Sequence, residues 1–303
     1  MFTDAEIALS QLTEAADFRL VRDAQVRFAG KVPTPLEARV VPAARAEHLS
    51  AALTQGGIAA VIVPADLADQ VPDRLGLGIA AAPQEAVARI QEYLATLEGF
   101  QWQHFPSRIS AQAQIADSAH IAPQDVEIGP GCVIGPHATI LPRTLIGDGC
   151  RIGPGTVVGA DAFDQMPGAV PRRLMVQSGG VRLEAGVTIC ANCSISRATF
   201  GGFARIGTGT LIDANVYIAH DAAIGENVTI CSNASLSGRV TLGDGSYIGP
   251  QAAISNGLTV GKGATVSIGS VVTRSVPDHT RVTGNFALPH ADWLSLMRAH
   301  RSE

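Results

Sequence analysis

The chain of 303 residues carries 22 Lys and Arg against 27 Asp and Glu, a formal net charge of −5 with a pI near 5.9. That acidic balance, with no run of five like charges, excludes a nucleic-acid groove, which needs a basic surface. No apolar run reaches the roughly 18 to 20 residues that crossing a bilayer takes, and five cysteines in a large chain do not read as a secreted disulfide scaffold.

The N-terminal "MFTDAEIALSQLTEAADF" has acids where a signal peptide carries its positive region. It is therefore expected to stay in the mature chain, and a reducing cytoplasm is the expected compartment. Residues 1–105 read as a small α/β domain. "DAEIALSQL" and "EAVARIQEYLATL" have helical texture, and "IAAVIV", Ile58 to Val63, reads as a short apolar strand.

From residue 106 the texture changes. Positions 206, 212, 218, 224, 230, 236, 242, 248, 254, 260, 266 and 272 are all Ile, Leu or Val. Ile128 to Val158 keep the same spacing, as do Leu183, Ile189 and Ile195, and glycine often follows. A period of six fits neither a helix nor a simple alternating strand. It fits a parallel β-helix in which each short strand points one aliphatic residue inward and then turns a corner, three hexads making one triangular coil. The fold class is therefore mainly β, a parallel β-helix over 106–282 behind an N-terminal α/β domain. A short C-terminal helix in 283–303 is expected to close the last coil. The frame slips three times: at "APQDV" after Ile121, in a loop excursion over 160–181, and around "TFGGF" between Ile195 and Ile206. Irregular loops on a rigid scaffold commonly carry function.

The chemistry gathers at "NVYIAHDAAIG", Asn215 to Gly225. His220 falls two residues after an inward aliphatic, at a corner and directed outward. Asp213 or Asp221 is placed to hold its imidazole in one tautomer, as a general base requires. Gly238 lies 18 residues further on, one coil away at the same corner, so its N–H is a candidate oxyanion donor. A base, an orienting carboxylate and an oxyanion donor make an acyl-transfer constellation.

"VVGADAFD", "VQSGGV", "GTGTLIDANVYIAHDAAIG" and "TGNFALPHADW" resemble segments of the UDP-3-O-(3-hydroxyacyl)glucosamine N-acyltransferase family of the lipid A pathway, built on the left-handed β-helix of the hexapeptide-repeat acyltransferases. The left hand is what the resemblance implies, since the usual crossover rule favours the right. The resemblance further implies His220 as the base that deprotonates the sugar amine and Gly238 N–H as the receiver of the thioester oxyanion. The implied donor is an acyl chain on acyl carrier protein and the implied acceptor a nucleotide amino sugar. The assembly it implies is a homotrimer with active sites in the clefts between subunits. No covalently bound cofactor and no metal are implied. Substrate contacts are expected from Phe163 and Gln177 in the excursion, from Ser196, Asn215, Asn256 and Gly257, and from Arg172 and Arg173, a pair suited to gripping phosphates.

The sequence departs from that family at the acceptor. Its second histidine falls on Gly257, an acidic residue falls on Ser196, and "RVVPAARAEHLSAAL" offers no Phe, Tyr or Trp to stack a uracil, His48 being its only ring. Uridine is therefore expected to contribute little to binding. A CoA-dependent acetyl- or acyltransferase on another amino sugar nucleotide is the alternative enzyme. A β-helix scaffold without catalysis, or a metal-dependent hydratase using His120 and His137, is a third class, which the joint occurrence of His220, Asp213 and Gly238 disfavours. "CANC", Cys190 to Cys193, has metal or redox spacing but falls on small-residue places of its hexad, which makes it structural.

Overall fold

The computed structural model describes residues 1–32, 36–284 and 289–300. From Arg108 to Val282 the chain winds through three parallel sheets of eight, eight and nine strands. The ladder runs coil to coil: Ile218 pairs with Ile195 below and Leu236 above, and Leu236 with Ile254. The sheets stay distinct because each strand is only two to four residues long before the chain turns.

Most hexads bury two residues rather than one. Ile218, Ile224 and Leu236 are buried as expected, but so are Val216, Ala222 and Ala234 two places earlier in the same hexads. A triangular coil tapers inward, so a large aliphatic and a small residue share each face, and the stack makes one continuous core. The glycine after the aliphatic answers a real crowding: a Cβ on Gly207 would meet the Gly225 carbonyl oxygen at 2.4 Å.

The corners follow one rule. Their second residue takes the left-handed conformation, as at Asn215, Asp221, Asn233 and Arg239, and Asn and Asp tolerate it best among residues with side chains. That residue donates its N–H to the corner below, Asn233 to the Ala214 carbonyl at 3.1 Å and Arg239 to the His220 carbonyl at 2.8 Å. The N–H of the first corner residue is left outside the ladder. At Glu226 and Ser232 a carboxylate from a neighbouring coil accepts it.

The N-terminal domain has a five-stranded sheet in the order Arg19–Arg22, Gly76–Ile79, Ile58–Val63, Arg39–Pro42, Phe28–Ala29, parallel except for its Arg19–Arg22 edge. The helix Pro83–Thr96 starts on a proline, whose missing N–H costs nothing there, and buries Val87, Ile90 and Leu94. "DAEIALSQL" is not one helix. Ile7–Ala8 pairs with Gln25–Val26, and Leu9–Leu12 forms a 3₁₀ turn with both leucines fully buried, so tertiary pairing overrides local helical preference. Phe2, Phe28, Trp102 and Phe203 meet edge-to-face at 4.9–6.1 Å and join this domain to the coils.

A helix spans His290–His300. Residues 285–288 of "TGNFALPHADW" lie outside the described residues. Among those described, no helix is long and apolar enough to cross a membrane.

Candidate active site

The prism has three edges, and all three slips of the hexad frame fall on one of them. After the strands ending at Ile121, Ala160 and Ser196 the chain leaves the same sheet and reaches the same neighbouring sheet. His220 follows the strand Tyr217–Ile218, next in that stack. Extra chain is tolerated here because it adds to the outside of a corner and leaves the ladders in register.

His220 is 8% exposed, buried against its own edge. Asp221, held in the left-handed conformation at φ 56°, brings its Oδ2 to 2.7 Å from His220 Nδ1. Its Oδ1 accepts the Thr199 N–H at 3.1 Å, which fixes the carboxylate against the coil below. With a carboxylate on Nδ1 the proton resides there, and Nε2 presents its lone pair. Nε2 lies directly over Gly238, where a Cβ would approach it to 2.3 Å. Gly238 is the first residue of its corner, and among the described residues its N–H has no acceptor. A bare imidazole nitrogen and a free backbone donor thus stand side by side.

Two side chains steady that donor. With its amide turned to satisfy both ends, Asn256 donates to the Gly238 carbonyl and accepts from Arg239 Nη2 at 2.6 Å. The same carbonyl accepts the Gly257 N–H at 2.9 Å. Gly257 is exposed at φ 71° with open space where a side chain would stand.

The remaining candidates divide. Asp213 and Asn215 lie on a different edge, the corner before Tyr217. The Asp213 oxygens accept the Ala214 N–H at 2.7 Å and the Ser232 N–H at 3.2 Å. Of the two carboxylates near His220 in sequence, only Asp221 reaches it, because six residues move the chain round to the next edge and only eighteen bring it back. Ser196 is buried on the His220 edge. Phe163 is 74% exposed on the excursion. Gln177 spends both ends of its amide on Ala162, accepting its N–H at 2.9 Å and donating to its carbonyl at 2.7 Å, which closes the base of the excursion. Arg172 is exposed. Arg173 is not free to grip a phosphate: Glu92 takes both arms of its guanidinium, and the hydrogen bond and charge of that carboxylate raise its pKa further. Cys193 is buried and Cys190 exposed, while His120 and His137 are both exposed. Sequence reasoning missed Thr199, Arg239, Arg143 and Arg197. Only the eleven-residue gap between Ile195 and Ile206 signalled the loop that carries Arg197 and Thr199.

The bacterial transferase hexapeptide model (six repeats) matches residues 125–160 and 203–238, and the hexapeptide repeat of succinyl-transferase matches 239–274. Residues 125–160 and 203–274 therefore carry the hexapeptide repeat of bacterial transferases. It is 33% identical over 124 residues to the UDP-3-O-acylglucosamine N-acyltransferase of Anaeromyxobacter dehalogenans, 39% of this chain and 34% of that protein. It is 33% identical over 139 residues to the acyl-[acyl-carrier-protein]--UDP-N-acetylglucosamine O-acyltransferase of Rhizobium johnstonii, 39% of this chain and 46% of that protein. The chain thus spans between a third and a half of the length of these two relatives. The solved UDP-N-acetylglucosamine acyltransferase of Campylobacter jejuni superposes with a TM-score of 0.49 at 29% identity, over 59% of this chain and 70% of that one, too loosely to add to the fold. The hexapeptide match agrees with the left-handed β-helix that the sequence resemblance implies.

Proposed function

We propose that the protein transfers an acyl group from a carrier-protein thioester to the amine of a nucleotide-linked amino sugar. The observation that carries this is the pairing of His220, its Nδ1 held by Asp221 and its Nε2 bare, with the unspent N–H of Gly238 one coil above. His220 Nε2 removes a proton from the amine as its nitrogen attacks the thioester carbonyl. The oxyanion that forms is received by the Gly238 N–H. Collapse breaks the carbon–sulfur bond, and the imidazolium returns its proton to the departing thiolate. The names of the two relatives support amine acylation of a nucleotide sugar and a carrier-protein donor.

The assembly in this reading is a homotrimer working in the cytoplasm, its site completed by a neighbouring copy. Asp213 and Asn215, which lie on another edge of their own copy, would serve a neighbour's site in this reading. A CoA thioester donor with a different amino sugar nucleotide is the second reading. The helix Ala46–Leu53 and the strand before it favour it, since they offer only an exposed His48 where a base would stack, and so does the bare Gly257. Incubation of the protein with 3-hydroxyacyl carrier protein or acyl-CoA and a panel of nucleotide amino sugars, read by mass spectrometry, tests both. An acylated amine formed from the carrier thioester supports the first reading. Product from CoA alone selects the second, and no acylated product from any pairing contradicts both.

A further inference from the structure

Below His220 on the same edge lies a cleft of about 520 Å³ that the acyl-transfer chemistry does not use. Arg143 and Arg197 line it, with His104, Asp161, Val176 and Gln177 around them. Arg143 comes from a left-handed corner residue at φ 63° and donates through Nη1 to the Ser178 carbonyl at 2.8 Å. Arg197 donates through Nε to the Gly159 carbonyl at 2.8 Å and stands 3.1 Å from Asp161 Oδ1. Its side chain is only 13% exposed.

Two carboxylates stand with the two guanidiniums in this cleft, yet neither takes a fork end-on. Asp161 faces Arg197, but the other carboxylate, Asp125, is committed elsewhere, to His104 Nδ1 at 2.7 Å and the Phe105 N–H at 3.0 Å. Burial lowers the pKa of both guanidiniums; for Arg143 repulsion from Arg197 adds to this and attraction from Asp125 and Asp161 partly offsets it, and for Arg197 attraction from Asp161 does the same. Two planar forks, each anchored by one arm to a backbone carbonyl, keep donors for a further acceptor. That is the geometry in which arginine binds phosphate oxygens.

We propose that Arg143 and Arg197 form a subsite for a phosphate or diphosphate group of a substrate bound at His220. The proposal rests on the acyl-transfer reading for the identity of that substrate. Adjacent coils are about 5 Å apart, so Arg197 stands roughly 5 Å and Arg143 roughly 15 Å below the His220 corner along the edge. A 2-amino sugar carries its diphosphate on the carbon next to the one bearing the amine. Amine at Nε2 and phosphate at Arg197 therefore fit one molecule. The phosphate of a carrier's phosphopantetheine arm is the other source of the same chemistry.

Titration calorimetry with inorganic pyrophosphate tests the site without any acyl transfer. Wild type is expected to bind, and Arg143→Gln, Arg197→Gln and Val176→Glu each to weaken binding about tenfold or more. The glutamate adds a negative charge at an exposed position of the rim, where it opposes the anion. Should an Arg→Gln protein lose its native circular dichroism, Arg143→Lys decides. It keeps the charge but loses the fork, so its affinity is expected to fall, and unchanged affinity overturns the proposal. No binding by wild type, or equal affinity in all variants, also overturns it. Initial rates then assign the source: a raised KM for the nucleotide sugar places the phosphate on the acceptor, a raised KM for the thioester places it on the donor, and neither change rejects the subsite. Wild-type acyl transfer with pyrophosphate binding indifferent to the arginines sinks the subsite alone. Arginine-dependent binding in a protein with no transfer activity sinks the acyl-transfer reading alone.

Discussion

Gly238 has an ordinary backbone conformation, so its glycine is required by space: His220 Nε2 stands where a Cβ would be, 2.3 Å away. Gly238→Ala must push the imidazole off its place over the N–H, and turnover is expected to fall about 10²- to 10³-fold with the thermal midpoint nearly kept. An unfolded variant would mean that the glycine serves the coil and not the chemistry. Asp221→Asn leaves an amide on Nδ1 that no longer selects the tautomer, so the pH dependence of the rate is expected to change. Asp213→Asn replaces one of the two oxygens that accept the Ala214 and Ser232 N–H groups with an amide donor. It should cost about 1 kcal/mol of stability with an unchanged pH profile. The reverse pattern would return the orienting role to Asp213. His220 and Gly238 were legible because eighteen residues make one coil. The choice between two nearby carboxylates was not, since it depends on which edge each occupies.

The hexad strands were legible because burial repeats at a period that only a triangular coil produces. The small buried residues two places earlier were hidden, because Ala, Thr, Cys and Val at a fixed place look like ordinary variation. "DAEIALSQL" misled for the opposite reason: its local pattern is helical, and its pairing partner, Gln25–Val26, lies well downstream. The link between the N-terminal domain and the coils has a titratable clasp in Asp125. Burial pushes its carboxyl up, but hydrogen bonds from its neighbours, the Phe105 N–H and His104 among them, outweigh this and hold it below the ordinary carboxylate range. A carboxyl depressed in the folded state contributes stability above its ordinary pKa, near 3.9, and loses it as pH falls through the depressed value. Asp125→Asn is therefore expected to lower the thermal midpoint at pH 7 and to flatten the loss of stability below about pH 4. Parallel acid limbs for the two proteins would remove Asp125 from the clasp. Burial also pushes the Cys150 thiol up to about 12, with Cys132 and Cys193 raised too. At pH 8 a thiol reagent should therefore find Cys190 and leave these three unreacted until the coil opens.

At the scale of the whole molecule, two sheets present apolar side chains outward: Leu211 at 51% and Tyr247 at 40% exposure on one, Tyr217 at 36% and Val271 at 61% on the other. They flank the edge that carries Asp213 and Asn215. A lone prism leaves them to water, and the proposed threefold assembly would cover them. Light scattering is expected to give the mass of three chains, and a stable monomer at micromolar concentration would remove both the assembly and the shared site. The central claim, that His220 is the base for acyl transfer to an amine, is tested most directly by turnover of His220→Ala beside wild type, using the donor and acceptor the wild type accepts. Turnover is expected to fall about 10²- to 10⁴-fold while the oligomer mass and thermal midpoint stay as in wild type. Turnover within a few-fold of wild type, or loss of folding along with activity, would contradict it.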